Sequence, residues 1–209
     1  MTEKEKMLRG MLYDADDSTL CADRVRAKEL CHAYNQLRPS DAAGMRELLR
    51  RLLGETGETF CVTAPFWCDY GCNTFMGRDD FAGEPRSLLI LGEPFYANHN
   101  LVILDCAAVT FGEHVFVAPN CGFYTAGHPI DAECRERGLE YAYPITVGDH
   151  VWIGGGVQVM PGVTIGSNVV IGGGSVVVKD IPSDSVAVGN PCRVIRPITE
   201  ADKQTCWDR

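Results

Sequence analysis

Five consecutive six-residue units hold one frame: Val147-Gly148-Asp149-His150-Val151-Trp152, Ile153-Gly154-Gly155-Gly156-Val157-Gln158, Val159-Met160-Pro161-Gly162-Val163-Thr164, Ile165-Gly166-Ser167-Asn168-Val169-Val170 and Ile171-Gly172-Gly173-Gly174-Ser175-Val176. A helix repeats its apolar positions every three to four residues and a half-buried strand every two, so neither accounts for this period. One aliphatic residue followed by Gly, two turn-formers and a small apolar residue reads as a short strand plus a turn. Three such units close a triangular coil with an aliphatic side chain inward on each side. Gly and Asn at the corners take backbone conformations that bulky residues avoid. Successive coils then stack at the parallel-strand spacing of roughly 4.8 Å, with hydrogen bonds running between coils. The expected fold is mainly β, a parallel β-helix of hexapeptide repeats.

Phe111-Gly112-Glu113-His114-Val115-Phe116 and Val117-Ala118-Pro119-Asn120-Cys121-Gly122 keep the same frame, while residues 129–144 interrupt it. The interruption predicts a loop extruded between coils and more mobile than they are. Between Ile103 and Phe111 the frame shifts by two, which predicts a small bulge. Upstream, helical spacing replaces the repeat. Thr2 to Glu5 has capping-box spacing ahead of Met7, Leu8, Met11 and Leu12. Ala27, Leu30, Cys31, Tyr34 and Leu37 mark a second helix ending before Pro39, and Met45, Leu48, Leu49, Leu52 and Leu53 mark a third, capped by Ser40 or Asp41 and stopped at Gly54. The expected organisation is a helical segment over 1–60, a β-helix over 61–196 with its extruded loop at 129–144, and a tail over 197–209. A solenoid needs its ends covered, and the helices and tail are the candidates.

A formal net charge of -9 gives no electrostatic footprint for nucleic acid or an anionic membrane. No run of about 18 apolar residues occurs, and Met1 to Lys6 leads into no apolar segment, so the expectation is a cytoplasmic protein without membrane or nucleic-acid partners. The ten cysteines are scattered, which favours small buried hydrophobes over a disulfide framework. Cys68-x3-Cys72 has no second pair at zinc-site spacing, so no metal is expected.

The repeats, Gly127-His128-Pro129, Gly138-Leu139-Glu140-Tyr141 and Pro144-Ile145-Thr146-Val147-Gly148 resemble the maltose, galactoside and nodulation-type O-acetyltransferases. So do Met7-Leu8-x-Gly10 and Leu12-Tyr13-Asp14 near the start, and Val188-Gly189-Asn190-Pro191-Cys192-Arg193-Val194-Ile195-Arg196 near the end. The resemblance spans almost the whole chain. It implies a left-handed β-helix, an exception to the right-handed crossover rule, capped by a small N-terminal α-helical segment. It also implies a homotrimer with active sites between subunits, acetyl-CoA as co-substrate along a groove beside the coils, and a sugar acceptor near the helical segment.

Acetyl transfer from a thioester to a hydroxyl needs a base, and a neutral His suits that task near pH 7. Residue context alone leaves His128 open as a turn cap before Pro129; the resemblance makes it the base. Glu140 either orients the imidazole as a triad acid does or is an exposed loop charge. The resemblance places Asn98 and Asp105 near the reacting acetyl group and acceptor hydroxyls, and Tyr96, Asp14 and Arg24 on the acceptor side. For the cofactor it implies Trp152, Gly155, Gly173, Lys179, Arg193 and Arg196. Small residues permit close approach of the pantetheine arm, and the cations can pair with phosphates. The glycines also have a purely structural reading as repeat corners, whereas the coil requires none of the cations. Relative to the family, Arg78 to Gly92 is an insertion beside the acceptor side, either an added strand or a loop. Three other functions use such a coil: acetylation of an antibiotic or other xenobiotic, a zinc carbonic anhydrase, against which the absence of a His-x4-His pair argues, and a non-catalytic scaffold. The Leu12-Tyr13-Asp14 segment argues against the first, and His128 with Lys179 and Arg193 against the scaffold.

Overall fold

The computed structural model describes residues 1–56, 60–76 and 95–204; the insertion at 78–92 lies outside the described residues. Helices come first. Thr2 caps α1 (Glu3–Leu8) in a reciprocal capping box with Glu5, Asp17 caps α2 (Ser18–Gln36), and Asp41 caps α3 (Ala42–Leu52), satisfying amides at each helix start. α3 stops at Leu53, whose extended backbone turns the chain toward Gly54 and the coil.

The coil has three faces of parallel strands. Phe60–Val62, Phe95–Ala97, Phe116–Val117, Trp152–Ile153, Val169–Ile171 and Ser185–Val188 stack on the first. Phe66–Cys68, Leu101–Leu104, Gly122–Tyr124, Gln158–Val159 and Val176–Val177 form the second. Glu55–Thr56, Thr74–Met76, Val109–Phe111, Ile145–Val147 and Thr164–Ile165 form the third. The register pairs the aliphatic frame positions with one another from coil to coil, as in Phe111↔Val147↔Ile165 and Val117↔Ile153↔Ile171. All of these are buried, as are the small apolar positions Val151, Val157, Val163 and Val169. Each such side chain contributes about 1.5–3 kcal/mol on burial. Early coils are wider and are filled by rings: Phe111 meets Phe95 and Phe123 edge to face at 5.2 and 4.9 Å.

Left-handed backbone recurs at the corners, with Asn100 and Asn120 both at φ 62. Asn tolerates this conformation better than a branched residue would. His114 and His150 occupy equivalent corners and stack ring on ring at 4.8 Å.

Three expectations change in detail. The frame shift before Phe111 is not a bulge within a strand but a larger corner between the second and third faces, residues 105–108, matched one coil earlier by residues 69–73. The interruption leaves at this same corner, yet it is not a bare loop. Leu139–Ala142 pairs antiparallel with Ala126–Gly127 on one side and with Tyr13–Asp14 on the other, and α4 (Ala132–Glu136) closes the tip. After Arg193 the chain reverses as Arg193–Pro197, antiparallel to Ser185–Val188, and α5 (Ala201–Gln204) follows.

The N-terminal helices cover the coil in two ways. Ala27, Cys31, Tyr34, Leu49, Leu52 and Leu53 join the core that fills the coil. A second cluster gathers Met7, Tyr13, Ala15 and Leu20 against Tyr70, Cys106, Ala107 and Ala142, around the larger corner. The cysteines divide: Cys31, Cys68, Cys106, Cys121 and Cys192 are buried, whereas Cys61 is exposed. No described helix is long and apolar enough to cross a membrane.

Candidate active site

His128 stands where the hairpin leaves the coil. Gly127 pairs with Tyr141, and a β-carbon at Gly127 would lie 2.5 Å from that ring, so a larger residue there would push the Tyr141 ring aside. The imidazole is 60% exposed, and its Nε2 lies 3.8 Å from Oε1 of Glu140. That separation allows electrostatic attraction but not a hydrogen bond. The other oxygen of Glu140, Oε2, accepts a hydrogen bond of 2.7 Å from the phenol of the buried Tyr13.

Around this pair the larger corner brings further polar groups. Cys106 is buried beneath Tyr13, with its sulfur 3.8 Å from Oδ2 of Asp69. Burial raises the Asp69 carboxyl above its ordinary value against the lowering effect of Lys28 and Arg24, while the charge of Glu140 raises it further.

Two residues expected on the acceptor side make hydrogen bonds within the fold. Asp105 is fully buried, and its carboxylate accepts the backbone N–H groups of Tyr70 at 2.8 Å and Asn73 at 3.2 Å, which holds the corner of the preceding coil. Burial outweighs these donors and pushes the carboxyl up to about 6. Arg24 donates to the hydroxyl of Tyr70 at 2.8 Å and to the carbonyl of Ala15 at 2.6 Å, stapling α2 to the corner. Asp14 is exposed beside the excursion, and its carboxylate accepts the N–H of Asp16 at 2.9 Å.

Tyr96, Asn98 and Trp152 lie elsewhere, on the first face and its corner with the second. With Phe116, Val117 and Ala118 they line a cleft of about 430 Å³. Oδ1 of Asn98 accepts the N–H of His99 at 2.8 Å. Trp152 is 56% exposed and lies in register with Phe116. Gly155 and Gly173 stack along the same corner: a β-carbon on Gly173 would come to 3.1 Å from the Gly155 carbonyl oxygen, so the ridge stays bare. Lys179 is exposed on the corner that carries His128, just after the Val176–Val177 strand. Arg193 and Arg196 are exposed on the reversed strand, and Arg196 is held by Asp202.

The expected residues therefore fall into two groups. His128, Glu140 and Lys179 belong to the corner between the second and third faces, Tyr96, Asn98, Trp152, Gly155 and Gly173 to the first face and the corner at the second face's other edge. Sequence reasoning assigned no role to Tyr13, Asp69 or Phe116. Tyr13 had a signal in the Leu12-Tyr13-Asp14 segment, but its partner Glu140 lies 127 residues away. Among the described residues no group of three or more His, Cys, Asp or Glu side chains is placed to hold a metal ion.

Two family signatures match the chain. The maltose acetyltransferase hexapeptide capping motif matches residues 6–57, and the bacterial transferase hexapeptide of six repeats matches residues 144–179. A Saccharomyces cerevisiae relative named as an acetyltransferase is 52% identical over 96% of this chain and 95% of its own. The crystal structure of a maltose O-acetyltransferase from Clostridium difficile is similar at 46% identity and a TM-score of 0.86, covering 96% of this chain and 99% of that one. A galactoside acetyltransferase in complex with coenzyme A is similar at 40% identity and a TM-score of 0.86, covering 97% of this chain and 94% of that one.

Proposed function

The chain belongs to the hexapeptide-repeat acyltransferase family related to the maltose and galactoside O-acetyltransferases, with their left-handed β-helix, and from that premise we propose that it transfers an acetyl group from acetyl-CoA to a saccharide hydroxyl. The observation that carries this reading is the pairing of an exposed imidazole, His128, with a carboxylate, Glu140, at the mouth of a coil built like those of sugar acetyltransferases.

His128 takes the proton of the acceptor hydroxyl as its oxygen attacks the thioester carbonyl. The tetrahedral intermediate collapses, the carbon–sulfur bond breaks, and the imidazolium returns the proton to the departing thiolate. Glu140 faces the imidazolium while it carries charge, the role of the third member of a triad. The amide nitrogen of Asn98, whose oxygen is held by the His99 N–H, suits a donor to the acceptor oxygen or the developing oxyanion. The bare ridge of Gly155 and Gly173 suits the pantetheine arm, and Lys179 and Arg193 its phosphates.

Because the two groups sit at opposite edges of the second face, the complete site takes one group from each of two chains. A cyclic homotrimer supplies that arrangement three times over. The exposed rings of Trp67, Phe116 and Trp152 on the first and second faces are consistent with faces covered in an assembly. The assignment fits a cytoplasmic enzyme drawing on acetyl-CoA.

The test is acceptor-dependent thiol release from acetyl-CoA across maltose, glucose, galactosides and lipo-oligosaccharide, with chloramphenicol as a xenobiotic comparison. Release with one or more saccharides is expected. Release with none of them, or with the xenobiotic alone, defeats the proposal.

A further inference from the structure

We propose that Tyr13 is a positioning residue for acetyl transfer, acting on His128 through Glu140. This rests on the reading of His128 as the base and adds a residue of the N-terminal segment to the machinery.

The geometry carries the argument. Glu140 is paired through its backbone to Tyr13 in the antiparallel Tyr13–Asp14 and Leu139–Ala142 strands, so the two α-carbons are fixed opposite each other. Strand pairing does not fix a glutamate side chain, which retains several rotatable bonds and the entropy that goes with them. The phenol does that. Tyr13 is fully buried among Met7, Leu20, Tyr70, Cys106 and Ala142, so its ring has one position, and its hydroxyl holds Oε2 of Glu140 at 2.7 Å. With one oxygen engaged, the carboxylate cannot swing to solvent, and Oε1 remains on the His128 side, 3.8 Å from Nε2. A charge-assisted hydrogen bond of this length is among the stronger side-chain interactions.

The phenol is also suited to staying a donor. Burial, reinforced by Cys106 and Glu140, drives its ionisation far above the ordinary tyrosine range, so at any working pH it gives a hydrogen bond and does not compete as a base. Nor is it a group that touches substrate, since no part of it is exposed. Its influence on the reaction passes through Glu140.

The test is a double-mutant cycle on the trimeric enzyme, with Tyr13→Phe, Glu140→Gln and the two combined, and His128→Ala as reference. Phe keeps the ring and removes the donor. Tyr13→Phe should lower kcat by roughly 10-fold, about what the loss of one hydrogen bond to a charged group costs, while the acetyl-CoA KM stays within about two-fold. In the Glu140→Gln background the same substitution should change kcat less than two-fold, because the route through which it acts has gone. A packing role would instead lower activity equally in both backgrounds, and that result overturns the proposal. So does a Tyr13→Phe enzyme with wild-type kcat. If His128→Ala is fully inactive in either case, Tyr13 fails alone and the reading of the site stands. A His128→Ala enzyme with wild-type turnover overturns both.

Discussion

Arg196 and Asp202 form a two-pronged ion pair, with guanidinium nitrogens 2.9 and 2.8 Å from the two carboxylate oxygens. The guanidinium, with the backbone N–H of Thr199, holds the Asp202 carboxyl down to about 2, so the pair persists at every practical assay pH. It bears on the proposed cofactor groove, because among the described residues Lys179 has no ion-pair partner and Arg193 donates only to its neighbour's carbonyl oxygen, whereas Arg196 shares its charge with Asp202.

Lys179→Ala and Arg193→Ala are each expected to raise the acetyl-CoA KM by roughly 5–20-fold with kcat within about two-fold, since phosphate contacts remote from the thioester persist from ground state to transition state. Arg196→Ala should raise it less. Steady-state kinetics at saturating acceptor measure all three, and unchanged KM in both Lys179→Ala and Arg193→Ala would place the cofactor elsewhere.

His128→Ala should lose roughly 10²–10⁴-fold in kcat, the usual worth of a positioned general base, while the acetyl-CoA dissociation constant stays within a few-fold. Asn98→Ala should also be impaired, from the other group. On the proposal that the site draws on two chains, mixing the two variants through dissociation and reassembly should restore a fraction of activity by forming sites with both intact halves. A mixture no more active than its components would mean that each chain carries a complete site, and a monomeric mass with full activity would dismiss the trimer.

Asp105 makes stability depend on pH with a definite sign. Its folded carboxyl titrates near 6 instead of the ordinary 3.8, so the fold favours the protonated form. That contribution is present in full below 3.8 and is lost as pH rises through about 6, and the difference corresponds to about 3 kcal/mol. Asp105→Asn does not titrate and serves as the reference, although its amide group also faces a backbone donor at a cost of about 1–3 kcal/mol. Urea unfolding at pH 4.5 and 7.5 should find the advantage of wild type over Asp105→Asn smaller at the higher pH. An advantage that grows with pH would contradict the burial argument.

The excursion should not exchange uniformly. Residues 139–142 are paired on both sides, by Tyr13–Asp14 and by Ala126–Gly127, whereas residues 129–138 close on short local bonds around α4. Amide hydrogen exchange should therefore be fast over 129–138 and slower over 139–142. Equal rates across the whole segment would show that the pairing with Tyr13–Asp14 does not persist.

How much was legible follows from the range of each interaction. The inward row of Val147, Ile153, Val159, Ile165 and Ile171 could be read from the chain because a six-residue strand-and-turn is a local device. The helix caps at Thr2 and Asp41 are local too. His128 was identifiable through the family motif around it. That Asp105 clasps amides on the matching corner one coil earlier could not be read from the chain, because its partners Tyr70 and Asn73 lie more than thirty residues away. The contacts of Arg24 were hidden for the same reason, its partners Tyr70 and Ala15 lying in separate segments.

By itself, the sequence determined the period, and with it the triangular coil, the inward side chains and the helical cover. Tertiary structure alone decided which corner each polar residue reaches. Each larger corner adds two residues to its coil, and the excursion adds more, so separation along the chain does not predict place around the axis. That winding puts Asn98 and His128 at opposite edges of one face, and folds Tyr13 back onto Glu140 across 127 residues. Backbone pairing between coils sets these juxtapositions, and pairing between distant strands leaves no periodic trace in sequence.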